Sequence, residues 1–113
     1  MAEALLVICW LFTALLIVLF GVCLAASRGA IRRNRLVGIR IPSVMRDDSA
    51  WRSGHRAGIV PSGIAAAAAL MFSAAGLLVP ALTWGAIVAF AGGVAWTFVS
   101  ANRAASVPER VHR

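Results

Sequence analysis

The sequence predicts an all-α integral membrane protein with three transmembrane helices: a single span, a cytoplasmic loop with a short interfacial helix, and a helical hairpin. Three observations carry this. The chain of 113 residues is 61% hydrophobic and 13% charged, against about half and about a quarter in soluble domains. Two long runs, Ala4 to Ser27 and Ala57 to Asn102, contain no Asp, Glu, Lys, Arg or His. All eleven basic residues are arginines, and they fall between and after those runs. The composition excludes a water-soluble monomer. The charge distribution turns the net +7 away from nucleic acid and toward a membrane surface with anionic lipids.

The first run is long enough to cross a hydrocarbon core of about 30 Å at about 1.5 Å per residue. It starts with Met1, Ala2 and Glu3, without the basic n-region of a cleaved signal peptide, so it reads as a retained helix over about 4–27. Val22 is too bulky to precede a lipidated Cys23. The second run would reach about 68 Å as one straight helix, more than twice the bilayer core. Pro80, followed by Thr83 and Trp84, breaks it into helices at about 62–79 and 83–101. Loop 28–61 and tail 102–113 complete one domain over 1–113.

Small residues recur every four positions on both arms of this hairpin: Ala65, Ala69 and Ser73 on one, Gly85, Ala89 and Gly93 on the other. Such stripes let backbones approach closely. Internal hairpin packing is the simpler reading, and a homo-oligomer or docking on a larger membrane protein is the alternative. Cys9 and Cys23 are separated by about 21 Å of helix rise and read as small packing residues. No charged side chain interrupts the spans, which argues against an ion-coupled transporter. Eight arginines lie in the loop and three in the tail, whereas the opposite side holds Glu3 and the short turn. The positive-inside rule therefore places loop and C-terminus in the cytoplasm and the N-terminus outside.

Specific activity is expected in the loop. Arg28 to Arg35 is a juxtamembrane basic cluster. Pro42 biases Ile41 to an extended conformation, giving a structured non-helical stretch over Gly38 to Ser43. Asp47, Asp48 or Ser49 can cap a short helix on which Asp48, Arg52 and His55 share one side with Arg56 beside them. Trp51 is expected at headgroup level, Pro61 at a kink before the second span, and Asp48 in an i, i+4 ion pair with Arg52. Arg40, between Gly38 and Pro42, is expected to face a wall formed by Trp51 and His55. No zinc spacing, phosphate-cradling glycine loop or dinucleotide fingerprint is present, so no cofactor or metal is expected. His55 beside two aspartates lacks a poised nucleophile, so no catalytic residue is assigned.

The series Asn34, Gly38, Ile39, Arg40, Pro42, Trp51, His55 reads N-x3-G-I-R-x-P-x8-W-x3-H. Set between two spans, it resembles the SdpI family of small bacterial membrane proteins, although Ile41 stands where that family commonly has Thr. The resemblance implies a non-enzymatic protein of the cytoplasmic membrane. In the founding member such a domain protects the producing cell from a secreted killing peptide and signals by holding a transcriptional repressor at the membrane. A toxin peptide or a repressor is thus an implied partner. The candidate binding residues are Asn34, Gly38, Arg40, Pro42, Trp51, Arg52, His55 and Arg56. Three readings stay open: a module binding a protein, peptide or lipid headgroup at the loop, an accessory subunit of a larger membrane complex, and an enzyme on lipid or phosphate substrates using His55.

Overall fold

Residues 2–106 are described by the computed structural model, and Arg110 and Arg113 of the tail lie outside the described residues. The elements are helix α1 (Ala2–Ser27), a single helical turn α2 (Pro42–Met45), the long helix α3 (Asp48–Gly76), a 3-10 turn (Pro80–Leu82) and helix α4 (Thr83–Ala105). Three helices are long and apolar enough to cross a membrane, and no strand occurs among the described residues. The protein is therefore an all-α membrane fold. Helix α3 is central, packing against both α1 and α4, which touch each other far less.

Small residues explain the hairpin. A Cβ on Gly93 would collide with Ala65, so α3 and α4 meet nearly backbone to backbone where Ala65 and Ala69 are buried. The expected stripes meet at Gly93 and Ala65, whereas Gly85 lies against the Phe72 ring and Ser73 bonds to Thr13 of α1. At the turn end, Cys9 Sγ donates to Thr83 O at 3.1 Å, Thr13 Oγ1 donates to Cys9 O at 2.8 Å, and the Thr13 and Ser73 hydroxyls pair at 2.9 Å. These bonds tie all three helices together without a charge. Both cysteines are buried and unpaired, and α1 leaves Val7, Leu11, Leu15 and Val18 exposed, as a lipid-facing helix does.

The boundaries of the second span differ from expectation. In place of an interfacial helix, a kink and a span at about 62–79, one continuous helix runs from Asp48 to Gly76 with Pro61 inside it. Proline removes one ladder bond, but bilayer helices tolerate this where neighbours and hydroxyls re-satisfy the backbone. Pro61 is buried; the carbonyl it leaves without a ladder donor is Ala57 O, while the Ser62 hydroxyl, donating to Gly58 O at 2.6 Å, adds a bond one position on. Loop 28–61 thus shortens to the segment between Ser27 and Asp48, and α4 extends to Ala105 rather than about 101.

That length positions the site. Helix α3 is about 43 Å long, roughly 13 Å more than a hydrocarbon core. All its charged residues, Asp48, Arg52 and Arg56, lie in the first nine positions. The apolar remainder, Ala57 to Gly76, has the length of a hydrocarbon core, and the charged residues stand together at one end of it.

Candidate functional site

The chain leaves α1 through Gly29, whose φ of +83° turns it back over the start of α3. Asn34 holds the next bend: its Oδ1 accepts from Leu36 N at 2.8 Å and Val37 N at 2.7 Å, and its Nδ2 donates to Arg32 O at 2.6 Å. Asn and Asp side chains close turns in this way by standing in for backbone partners. Ile41 is extended (φ −80°, ψ 151°), with Pro42 opening α2, so the last residues of the expected non-helical stretch are helical. Pro42 itself is exposed. A proline is favoured in a first helical turn, where its missing N–H would have no partner.

Ile39 and Val44 from this segment are fully buried against Cys23, Trp51 and Ala101. Each such side chain contributes about 1.5–3 kcal/mol. The Ser43 hydroxyl reaches Asn102 Oδ1 at 2.5 Å, fastening α2 to the end of α4. The loop is therefore a packed cap over the bundle.

Trp51 and His55 form the seam between cap and bundle, and both point inward. Trp51 is 2% exposed, its ring packed inside the protein rather than facing outward, and its indole Nε1 donates to Ile31 O at 2.9 Å. His55 is fully buried, so it does not share the solvent side of α3 with the exposed Asp48, Arg52 and Arg56. Ile39 N donates to His55 Nε2 at 2.9 Å, and His55 Nδ1 lies 2.7 Å from Trp51 O. A ring nitrogen that accepts from an N–H carries no proton, so His55 is neutral with its proton on Nδ1, donated to Trp51 O. The two rings sit 4.2 Å apart, tilted by 51°.

Gly38 is fixed by this seam. Its φ is +117°, and a Cβ there would run into the Trp51 ring and come within 3.0 Å of His55 Nε2. The wall formed by Trp51 and His55 therefore faces the backbone of Gly38 and Ile39, not the Arg40 guanidinium. Arg40 is exposed, and its guanidinium donates instead to Arg35 O.

Asp47 caps α3, its Oδ1 accepting from Ala50 N at 2.8 Å. That bond, and next the one from Arg46, holds the Asp47 carboxyl below the ordinary carboxylate value. Asp48 does not pair with Arg52. Its partner is Arg33, at 3.6 Å, and Arg33 also donates to Met45 O at 3.1 Å. Arg33, read from the sequence as distributed charge, is thus a tether that bridges the loop to α2 and α3.

Between these groups lies a cleft of about 470 Å³ lined by Gly29, Ile31, Arg32, Arg33, Asp48, Trp51 and Arg52. Of the candidate binding residues it contains Trp51 and Arg52; Asn34 and Gly38 shape the loop beside it. Arg32 and Arg33 are missing from the sequence-level set. The signal for them is Gly29, a residue able to reverse the chain so that a following basic pair folds back on the next helix.

The family model described as the SdpI/YfhL protein family matches residues 30–102, about two thirds of the chain. The chain belongs to this family. It is a bacterial membrane protein of the SdpI type. No curated protein and no solved structure matches it. The matched region begins three residues after α1, so in this SdpI-type chain it takes in the cap from residue 30 onward, α3 and nearly all of α4. Within it, the His of the quoted motif accepts from the motif's Ile39 N–H, and its Trp packs on Gly38.

Proposed function

We propose that this protein is a non-enzymatic recognition module of the bacterial cytoplasmic membrane, its cap facing the cytoplasm, that serves SdpI-type protection or signalling by binding a partner on the basic face. One observation carries the reading. Both polar atoms of the Trp51–His55 pair that could meet a ligand, the indole N–H and the imidazole Nε2, are bonded to loop backbone. General acid–base work needs a nitrogen within reach of substrate, and His55 has none free. What the pair does supply is rigidity: it holds a 20-residue connection in one shape and keeps Arg40, Arg52 and Arg56 on its surface.

The test is complementation of a strain lacking the gene. The wild-type chain restores the growth or expression difference that the deletion causes. Arg40→Gln combined with Arg56→Gln loses that rescue at unchanged membrane abundance, because both side chains are exposed and the bond given up, from Arg40 to Arg35 O, lies on the surface. Full rescue by the double variant overturns the reading.

A further inference from the structure

We propose that the cleft at the start of α3 binds one anionic phospholipid, its phosphate between Arg32 and Arg52 and an acyl chain along α1. The proposal rests on reading the cap as a recognition surface, and it names the ligand. Arg32, Arg33 and Arg52 converge on the cleft against one carboxylate, Asp48. Arg33 is committed to Asp48 and Met45 O. Among the described residues, Arg32 and Arg52 have no ion pair and no hydrogen-bond acceptor for their guanidinium groups. Two free guanidinium groups about a pocket match a phosphate, whose oxygens take paired donors.

Depth and apolar surface select a lipid over a soluble phosphate. The cleft is at the Asp48–Arg52 end of α3, the charged end that extends past the hydrocarbon-core length of its apolar part. Beyond Trp51, the indole of which lines the cleft and packs on Gly38, lies a second hollow of about 340 Å³. It is lined by Leu15, Val18, Leu19 and Val22 of α1 and by Leu36, Val37 and Gly38 of the cap. Leu36 is 86% exposed, a costly position in water and a favourable one against acyl chains. A polar cleft for an anion and an apolar groove running down a lipid-facing helix thus meet across one indole, as the two ends of a phospholipid require.

The test is native mass spectrometry of the full chain in mild detergent with equal amounts of dioleoyl phosphatidylglycerol and dioleoyl phosphatidylcholine. Wild type retains one phosphatidylglycerol in preference to phosphatidylcholine. Arg32→Gln with Arg52→Gln lowers that preference at least about tenfold, whereas Arg35→Gln with Arg103→Gln, which removes equal charge elsewhere, changes it less than about twofold. Leu36→Ser with Val37→Ser weakens retention while leaving every charge in place. An equal loss in both arginine pairs means diffuse attraction and overturns the site. Displacement of the lipid by millimolar glycerol 1-phosphate means a soluble phosphate ligand and overturns the lipid. Absence of any preference in wild type, together with lost rescue by the Arg40 and Arg56 double variant, removes the lipid while keeping a recognition surface; a clear preference with full rescue does the reverse.

Discussion

The two ends of the bundle are held by opposite means. Along the α3–α4 hairpin, small side chains allow close backbone contact, and hydroxyl and thiol groups bond to carbonyls of neighbouring turns. At the cap end, two large rings fill the space between the helices and the loop, and their polar atoms bond to loop backbone. The difference teaches what each end is for. Close helix contact needs only shape, and many small-residue sequences supply it. Fixing an irregular segment over a helix requires buried donors and acceptors matched one to one, since each unpaired group costs about 1–3 kcal/mol.

The sharpest way to break the comparison is at Trp51. Trp51→Ala empties an indole-sized space and leaves Ile31 O without its donor, so a loss of about 3–5 kcal/mol is expected, read as a lower thermal midpoint in detergent and reduced membrane abundance. A Trp51 side chain at headgroup level, as the sequence predicts, would leave such a variant abundant. Its burial reverses that expectation, whereas Arg40→Lys, at an exposed position, should remain abundant. Trp51→Phe keeps most of the volume and should lose much less than Trp51→Ala.

Adjacent glycines sharpen the other side. Gly93→Ala forces α3 and α4 apart at Ala65, and a loss of about 1–3 kcal/mol is expected from overpacking. Gly92→Ala meets nothing within 4 Å and removes a poor helix former, so a gain of up to about 1 kcal/mol is expected. Thermal unfolding of the pair in one detergent checks both signs. Equal behaviour of the two variants would mean that close contact is not what holds the hairpin. His55→Ala should fall between these and Trp51→Ala in effect, leaving Ile39 N–H buried and unpaired, and hydrogen exchange at Ile39 should accelerate.

Legibility from the sequence follows the same division. The hairpin was readable because its code is local: small residues every four positions, a proline at the turn, and uncharged runs of bilayer length. The extended Ile41 and the Asp47 cap were readable for the same reason, since each depends on one neighbour or one turn. The inward direction of Trp51 and His55 was not. On a helix start rich in arginine, an amphipathic Trp or His suits an interface as well as a core, and only the loop folded back through Gly29 decides between them. Arg33 escaped likewise, because its partners Met45 and Asp48 are distant in sequence. Pro61 misled as a boundary because its penalty was read for a helix in water.

The smallest expected effect concerns the joint between the two ends of the comparison, the cap of α3. Asp47 accepts from Ala50 N, and its folded-state carboxyl is held below the ordinary value of 3.8. A carboxyl with a depressed folded value contributes stability that is present above the unfolded value and lost as pH falls through the folded one. Asp47→Ala should therefore lower the thermal midpoint at neutral pH, and the gap from wild type should narrow as the pH is taken below 3.8. Asp47→Asn separates the contributions, since it keeps an oxygen for Ala50 N while removing the charge that Arg46 and the helix dipole favour. Its midpoint should lie between the other two at neutral pH, and its gap from Asp47→Ala should not change with acid, since neither variant carries a carboxyl at this position. A gap for Asp47→Ala that stays constant through the acid range would mean that the Asp47 charge adds nothing, and that the helix start is held by shape and by the Trp51, His55, Arg33 and Ser43 bonds that tie down the loop.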